Sequence, residues 1–296
     1  MSIGYREFLA MSTPTPPEDR LDRDTPETIR LRVDEATELG ARALHRLGFA
    51  DDEVRIIVDQ LVDNALCGYP FASLPRILAI AQDAKTRQPR GPVRVVHETP
   101  VSALLDGGNN VGYVAVYRAT QLTIEKARTH QSAVVGVYNS YYSGRNAYYM
   151  EMIAEAGLVG IHLASGQPRV VPLGGTRPAL GTNPLCFGFP SAHGAVIFDM
   201  GTAALQWGEV LLHSHLGYPC RTESVSTRMG AQRVTRGKHS WAGSCRLGGT
   251  KALASHSWCR PWAFWPGPHS PGARCRITGF SSSLGSCVIT VPSVVA

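Results

Sequence analysis

The chain has 296 residues, enough for one large domain or two, with 44% hydrophobic residues and a formal net charge of +6. It contains no apolar run of the roughly 18 residues a membrane-spanning helix needs, and its first 25 residues lack the apolar block of a secretory signal. These features lead us to expect a soluble, cytoplasmic protein with no membrane partner.

Residues 1–24 are polar and proline-containing, so a disordered leader is expected, and Met1 and Met11 both stand as starts. Residues 25–92 read as a helical segment. Thr25 before Pro26 and Glu27 has the form of a helix start, with a capping hydroxyl, a proline at the first position and an acid in the first turn. Ile29, Val33, Ala36, Leu39, Ala43 and Leu47 then repeat at helical spacing, and Gly48 ends the run. Asp51 or Asp52 caps a second helix with the face Val54, Ile57, Val58, Leu61 and Ala65, and the two form a helical hairpin.

Over residues 93–217 short apolar runs alternate with helical patterns. "VRVVHET", "AVVGVYNS", "VGIHLAS", "CFGFP" and "AVIFDM" read as strands; "GYVAVYRATQLTIEKARTH" and "RNAYYMEMIAEAG" read as helices. Strand, helix, strand in succession predicts an α/β layer with a mixed, largely parallel sheet. Loops 139–146, 164–184 and 199–204 follow apolar strands and are rich in Gly, Ser, Thr and Asn, which let a phosphate or ribose approach the backbone. Neither a G-x-G-x-x-G after a first strand nor a P-loop occurs, so an ordinary Rossmann site is not supported. His162 falls inside a strand and reads as a hydrogen-bonded core residue, while His97 and His130 read as solvated.

The last stretch, residues 218–296, differs in kind. It holds ten Lys and Arg residues against Glu223 alone, a balance of +9, so the first 217 residues carry −3. The basic excess is therefore not a folded surface aimed at nucleic acid, and no nucleic-acid partner is expected. Five of the seven cysteines lie there, yet no pair has C-x2-C spacing, and no metal site is expected. "LGGTKALASHSWCRPWAFWPGPH" (247–269) combines three tryptophans with no acid, the bias of GC-rich coding DNA read in a neighbouring frame. Taking each original codon as the last base of one codon and the first two of the next, Leu247–Leu253 permits GGHKGF and Ser257–Gly267 permits MVQALGLLAG. The same shift over Cys220–Thr235 permits LPDGVGIDADGRPTRD, restoring the missing acids. We therefore expect a frame shift near Gly217 and an irregular tail that builds no native domain; the alternative is a genuine low-complexity, disordered tail.

"LLDGGNNVGYVAVYRATQLTIEKA", "VGVYNSYYSG", "YYMEMIAEAGLVGIHLASG", "VPLGG", "LGTNPL" and "FDMGT" together resemble the malate/L-lactate dehydrogenase family, whose fold is not the Rossmann one. The resemblance covers roughly Thr25 to His215 and implies an N-terminal helical hairpin followed by a nicotinamide-binding α/β domain. It implies hydride transfer between a small 2-hydroxy or 2-oxo acid, or an imine analogue, and NAD or NADP, in a homodimer. The non-catalytic alternative is a cofactor-binding or structural relative of the same fold.

By the same resemblance Ser165, Pro172, Gly174, Gly175, Thr182, Asn183, Asp199 and Thr202 fall where the family holds the dinucleotide. The family's D-S-H-G-x-x-R appears as "YPFASLPR", with Phe71 and Ala72 in place of Ser and His and with Arg76 retained for the substrate carboxylate. Its N-S-N-H-F-G appears as "NSYYSG", with Tyr142 in place of His. A phenol titrates near 10, not near neutrality. For Tyr142 to donate a proton, the sequence reading looks to a neighbouring cation such as Arg145 to lower its pKa; a packing aromatic is the alternative.

Overall fold

The computed structural model describes residues 29–172, 177–203 and 206–216, together with the backbone of short strands at 225–226, 244–246 and 284–292. Helix α1 spans Val33–Arg46 and so begins later than the Thr25 cap implied; Thr25 lies outside the described residues. Ile29, Leu31 and Val33 are exposed, so the apolar spacing that starts at Ile29 does not mark a buried helical face. The helix instead starts where the Glu35 carboxylate accepts the Arg32 backbone N–H at 2.9 Å. Gly48, at φ 80°, ends the connection after α1 in the left-handed region. Helix α2 spans Asp51–Leu66, with Ala50 at the cap position. Its free N–H is taken by Glu53 at 3.1 Å, not by the side chain of Asp51 or Asp52.

A single turn at Pro70–Ala72 leads into α3 (Arg76–Gln82). Asp83 then accepts the Lys85 N–H at 2.9 Å and starts a second turn, Ala84–Arg87. Leu44, Ile57, Leu61 and Ile80 are fully buried in one cluster with Val111, Tyr113, Val114 and Tyr141. Each such side chain contributes about 1.5–3 kcal/mol on leaving water. The core of the helical segment thus continues into the α/β layer.

That layer contains β1 (Arg94–Thr99), β2 (Ser102–Val111), α4 (Gly112–His130), β3 (Ala133–Tyr141), α5 (Asn146–Glu155), β4 (Leu158–Ser165), β5 (Val170–Val171), β6 (Leu185–Phe189), β7 (Val196–Met200) and α6 (Trp207–Leu216). After it come β8 (Val225–Ser226), β9 (Ser244–Arg246) and β10 (Leu284–Pro292). The main sheet has the order β1-β2-β3-β10-β4-β6-β7, and β5, β9 and β8 form a small second sheet. Helices α4 and α5 pack on the main sheet through Val116, Ala127, Ala133, Tyr149, Met150 and Ile153.

The sheet is mixed, but not largely parallel as the alternation of strands and helices implied. Among its pairings only β2 and β3 run parallel, joined across α4. β3 and β4 do share a direction, yet β10 lies between them antiparallel to both, and β6 and β7 add antiparallel pairs at the edge. β10 is also where the structure differs from the expected irregular tail. "LGSCVITVP" is rich in β-branched residues, and its backbone pairs with two otherwise open strand edges. Most of the remaining tail, like the leader, lies outside the described residues.

Candidate functional site

Arg76 and Tyr142, distant in sequence, meet where the helical segment abuts the end of β3. Arg76 opens α3, and Tyr142 follows β3 at φ 56°, a conformation few residues other than glycine adopt. The Arg76 guanidinium carbon lies 5.4 Å from the Tyr142 ring centroid, within cation–π range. Arg76 also acts through its charge on the buried Tyr113 phenol, opposing the rise in pKa that burial imposes there. It fits against Gly208 at the start of α6, where a Cβ would stand 1.9 Å from Nη2 and 2.9 Å from Phe71. Any larger residue at 208 would therefore displace the guanidinium.

The charge of a second cation, Arg169, also acts on the Tyr142 phenol. The Arg169 guanidinium carbon sits 4.0 Å from the Trp207 ring centroid, and its backbone N–H donates to the Leu180 carbonyl at 2.9 Å. Through its charge the Asp83 carboxylate acts on the Tyr142 phenol. Burial and the Asp83 charge push its pKa up to about 12, against the opposing pull of Arg76 and Arg169. The expected lowering by Arg145 does not occur, because Arg145 is held elsewhere. It donates to Asn64 at 2.8 Å, to Glu151 at 3.1 Å and to Asp63, tying α2 to α5. At neutral pH Tyr142 is a neutral phenol on which two guanidinium charges act, an arrangement suited to an anionic small molecule with an oxygen to be protonated or deprotonated.

Phe71 and Ala72 sit in the turn before α3. Ala72 is buried and its carbonyl accepts from Asn64 at 3.0 Å, so this turn offers no titrating side chain.

The residues assigned to the dinucleotide fall at strand ends. Ser165 ends β4, Pro172 follows β5, Thr182 and Asn183 precede β6, Asp199 is in β7 and Thr202 lies just beyond it; Gly174 and Gly175 lie outside the described residues. Three of these loops are brought together. Gly166 N–H donates to Asn183 Oδ1 at 3.0 Å, and Thr202 donates to the Thr182 carbonyl from Oγ1 at 2.7 Å and from N at 3.0 Å. The Asp199 carboxylate accepts the Ala147 N–H at 2.9 Å, at the first turn of α5. The side chains of Asn183, Asp199 and Thr202 thus hold the loops and the helix in place. Asn146, beside that cap, is buried with neither amide atom partnered among the described residues.

His162 is fully buried in β4, edge-on to Tyr149 with centroids 5.4 Å apart, and burial pushes its pKa down to about 3. It is a neutral core residue as its strand position predicts, but not the hydrogen-bonded one expected, since neither ring nitrogen has a partner among the described residues; His97 and His130 are exposed. Asp83, Arg169 and Trp207 were not singled out from sequence. Asp83 carries one local signal, an acid followed two residues later by a lysine between helical turns, but its partner lies 59 positions away.

The malate/L-lactate dehydrogenase family model matches residues 31–251. The malate/(S)-sulfolactate dehydrogenase of Methanothermus fervidus is 33% identical over 180 residues, 60% of this chain and 53% of that protein. The malate dehydrogenase of Pyrococcus abyssi is 32% identical over 193 residues, 64% of this chain and 53% of that protein. The chain spans about half the length of these curated relatives. The solved structure of malate dehydrogenase from Pyrococcus horikoshii shares the fold, with a TM-score of 0.70 at 23% identity over 90% of this chain and 77% of that one.

Proposed function

Because this chain belongs to the malate/L-lactate dehydrogenase family, we propose that it is a nicotinamide-dependent oxidoreductase acting on a small 2-hydroxy or 2-oxo acid or an imine analogue. The observation that carries this reading is the approach of the Arg76 guanidinium to the Tyr142 ring, with the Arg169 charge acting on the same phenol. Arg76 binds the substrate carboxylate, as a guanidinium fork is shaped to do. Tyr142 touches the reacting oxygen and passes the proton. Ser165, Pro172, Gly174, Gly175, Thr182, Asn183, Asp199 and Thr202 form or brace the dinucleotide cradle.

A dinucleotide fits this donor set on one specific ground. The buried Asn146 carboxamide has a donor and an acceptor unmatched among the described residues, next to the loops that Thr202 and Asn183 draw together. The bound nicotinamide supplies the hydride chemistry, with NAD and NADP both open. The protein orients the acid, moves the proton and excludes water with Phe71 and Trp207.

The cytoplasm and a homodimer are part of this proposal. Val33 and Leu66, exposed along the groove between α1 and α2, are suited to meeting a second copy. We also retain the proposal that the chain is read out of frame after Gly217. The loss of both family histidines, at Ala72 and Tyr142, favours a second reading, a relative that binds the cofactor without turning over substrate. Titration with NADH and NADPH tests the shared premise, since saturable binding is expected and its absence overturns both readings. Substrate-dependent oxidation of the bound cofactor then separates them.

A further inference from the structure

Consecutive residues at the start of α6 meet two cations from different parts of the chain. Gly208 meets Arg76, where a Cβ would stand 1.9 Å from Nη2, so the guanidinium lies directly against the glycine. Trp207 meets Arg169, whose guanidinium carbon sits over the indole, 4.0 Å from the ring centroid. The Cα atoms of these two neighbours are about 3.8 Å apart, the fixed spacing across a trans peptide. Arg169 is held in two further ways: its Nη2 donates to Gln167 Oε1 at 2.9 Å and its backbone N–H to the Leu180 carbonyl at 2.9 Å. The first turn of α6 thus gathers two guanidinium groups against one acid, Glu209, at the positive end of a helix. Such a turn favours anions, and Arg76 accounts for one carboxylate only.

We propose that Arg169 is a specificity-determining residue that binds a second acidic group of the substrate, so that the site prefers a small 2-oxo or 2-hydroxy diacid to a monoacid of the same length. The proposal rests on the oxidoreductase reading above. A guanidinium over an aromatic ring turns a face to the ring and keeps its N–H donors at its edge, the side from which a carboxylate or sulfonate approaches. The indole also keeps water from one side of the cation, which strengthens its pull on an anion. Because Trp207 and Gly208 are neighbours, an acid whose first carboxylate is on Arg76 extends along the first turn of α6 towards Arg169. A monoacid makes no use of Arg169 and forgoes a charged hydrogen bond, a difference of roughly 10- to 100-fold in affinity.

The decisive comparison is Arg169→Gln against wild type, read as the ratio of kcat/KM for oxaloacetate to that for 2-oxobutyrate, a diacid and a monoacid of equal length. A general loss of activity does not move this ratio. Wild type is expected to favour the diacid, Arg169→Gln to lower the ratio roughly 10- to 100-fold, and Arg169→Lys, which keeps the charge, to recover part of it. Trp207→Leu, which removes the ring that holds Arg169, should lower the ratio as well. Succinate and butyrate have no oxygen at C2 and give a readout without turnover. Succinate, but not butyrate, is expected to change the tryptophan fluorescence of wild type, and the change is expected to vanish in both Trp207→Phe and Arg169→Gln. An unchanged ratio in Arg169→Gln overturns the proposal and spares the oxidoreductase reading; a loss of affinity for NADPH alone in that variant then gives Arg169 to a cofactor phosphate. A wild type that reduces neither acid yet responds to succinate through Arg169 overturns the oxidoreductase reading and supports the second acid-binding group. A wild type that does neither overturns both.

Discussion

Tyr142 and His162 show how one physical cause, burial, gives two residues opposite assignments. Tyr142 is raised from 10 to about 12 and keeps its proton longer in the folded chain than in the unfolded one. The associated stability is fully present below pH 10 and is lost as the pH rises through 12. Alkaline denaturation of Tyr142→Phe is therefore expected to lack that component, and identical curves for the two proteins would contradict the burial of the phenol. His162 moves from 6.5 to about 3, so its contribution is present above pH 6.5 and is lost as the pH falls towards 3. While only the unfolded chain binds that proton, stability falls by about 1.4 kcal/mol per pH unit. His162→Leu is expected to flatten this slope in denaturant melts between those limits. At the reacting centre, Tyr142→Phe should cost roughly 10²- to 10⁴-fold in kcat, whereas Arg76→Ala should raise KM for the acid by roughly 10- to 100-fold by removing a charged hydrogen bond. A KM for Arg76→Ala equal to that of wild type would remove Arg76 from the substrate site.

At the scale of elements, the site depends on contacts between segments that local sequence does not announce. Arg145 ties α2 to α5 through Asp63, Asn64 and Glu151. Replacing it with Met should destabilise the chain by roughly 3 kcal/mol, since carboxylates would be left facing each other in a partly buried joint; a melt unchanged within error would mean that helical packing alone holds α5. Gly208→Ala gives the opposite pairing of effects. It favours α6 by about 1 kcal/mol in helix propensity, yet its Cβ would strike Arg76, so acid binding should weaken while thermal stability holds or rises. Much of the element pattern was legible, because α2, α4, α5 and the strands at 94–99, 133–141 and 158–165 carry local periodicity. β2 was not read as a strand, since "SALLDGGNNV" looks like a turn. There Asp106 accepts from Gly108 N at 2.9 Å and from Asn139 at 2.8 Å, an irregular joint between β2 and β3, so a motif that carried the family resemblance is structural. Arg76 and Tyr142 were legible as members of a site only through that resemblance. Asp83 and Arg169 were not, because a partner made by tertiary approach leaves no spacing in the sequence.

For the molecule as a whole, the sheet and the reading frame bear on each other. β10 lies between β3 and β4, and the family match runs to residue 251, past Gly217, whereas the tail's composition argues for translation in a neighbouring frame. Inspection of the coding DNA around Gly217 in all three frames decides this; the frame-shift proposal expects a continuous acid-containing family sequence in a neighbouring frame, and a stop codon early in both alternatives would refute it. The alternation of strand and helix patterns marked an α/β layer, but the direction of each strand was beyond it, because a strand supplied from far along the chain reverses the pairing at the centre of the sheet. The central claim, that this fold moves a hydride to and from a small acid with Tyr142 handling the proton, is tested most directly by following NADH and NADPH absorbance while the purified chain meets a panel of small 2-oxo acids and cyclic imines. Cofactor oxidation that requires both protein and one member of the panel, and that collapses in Tyr142→Phe, is the predicted result; saturable cofactor binding with no oxidation by any member would contradict it.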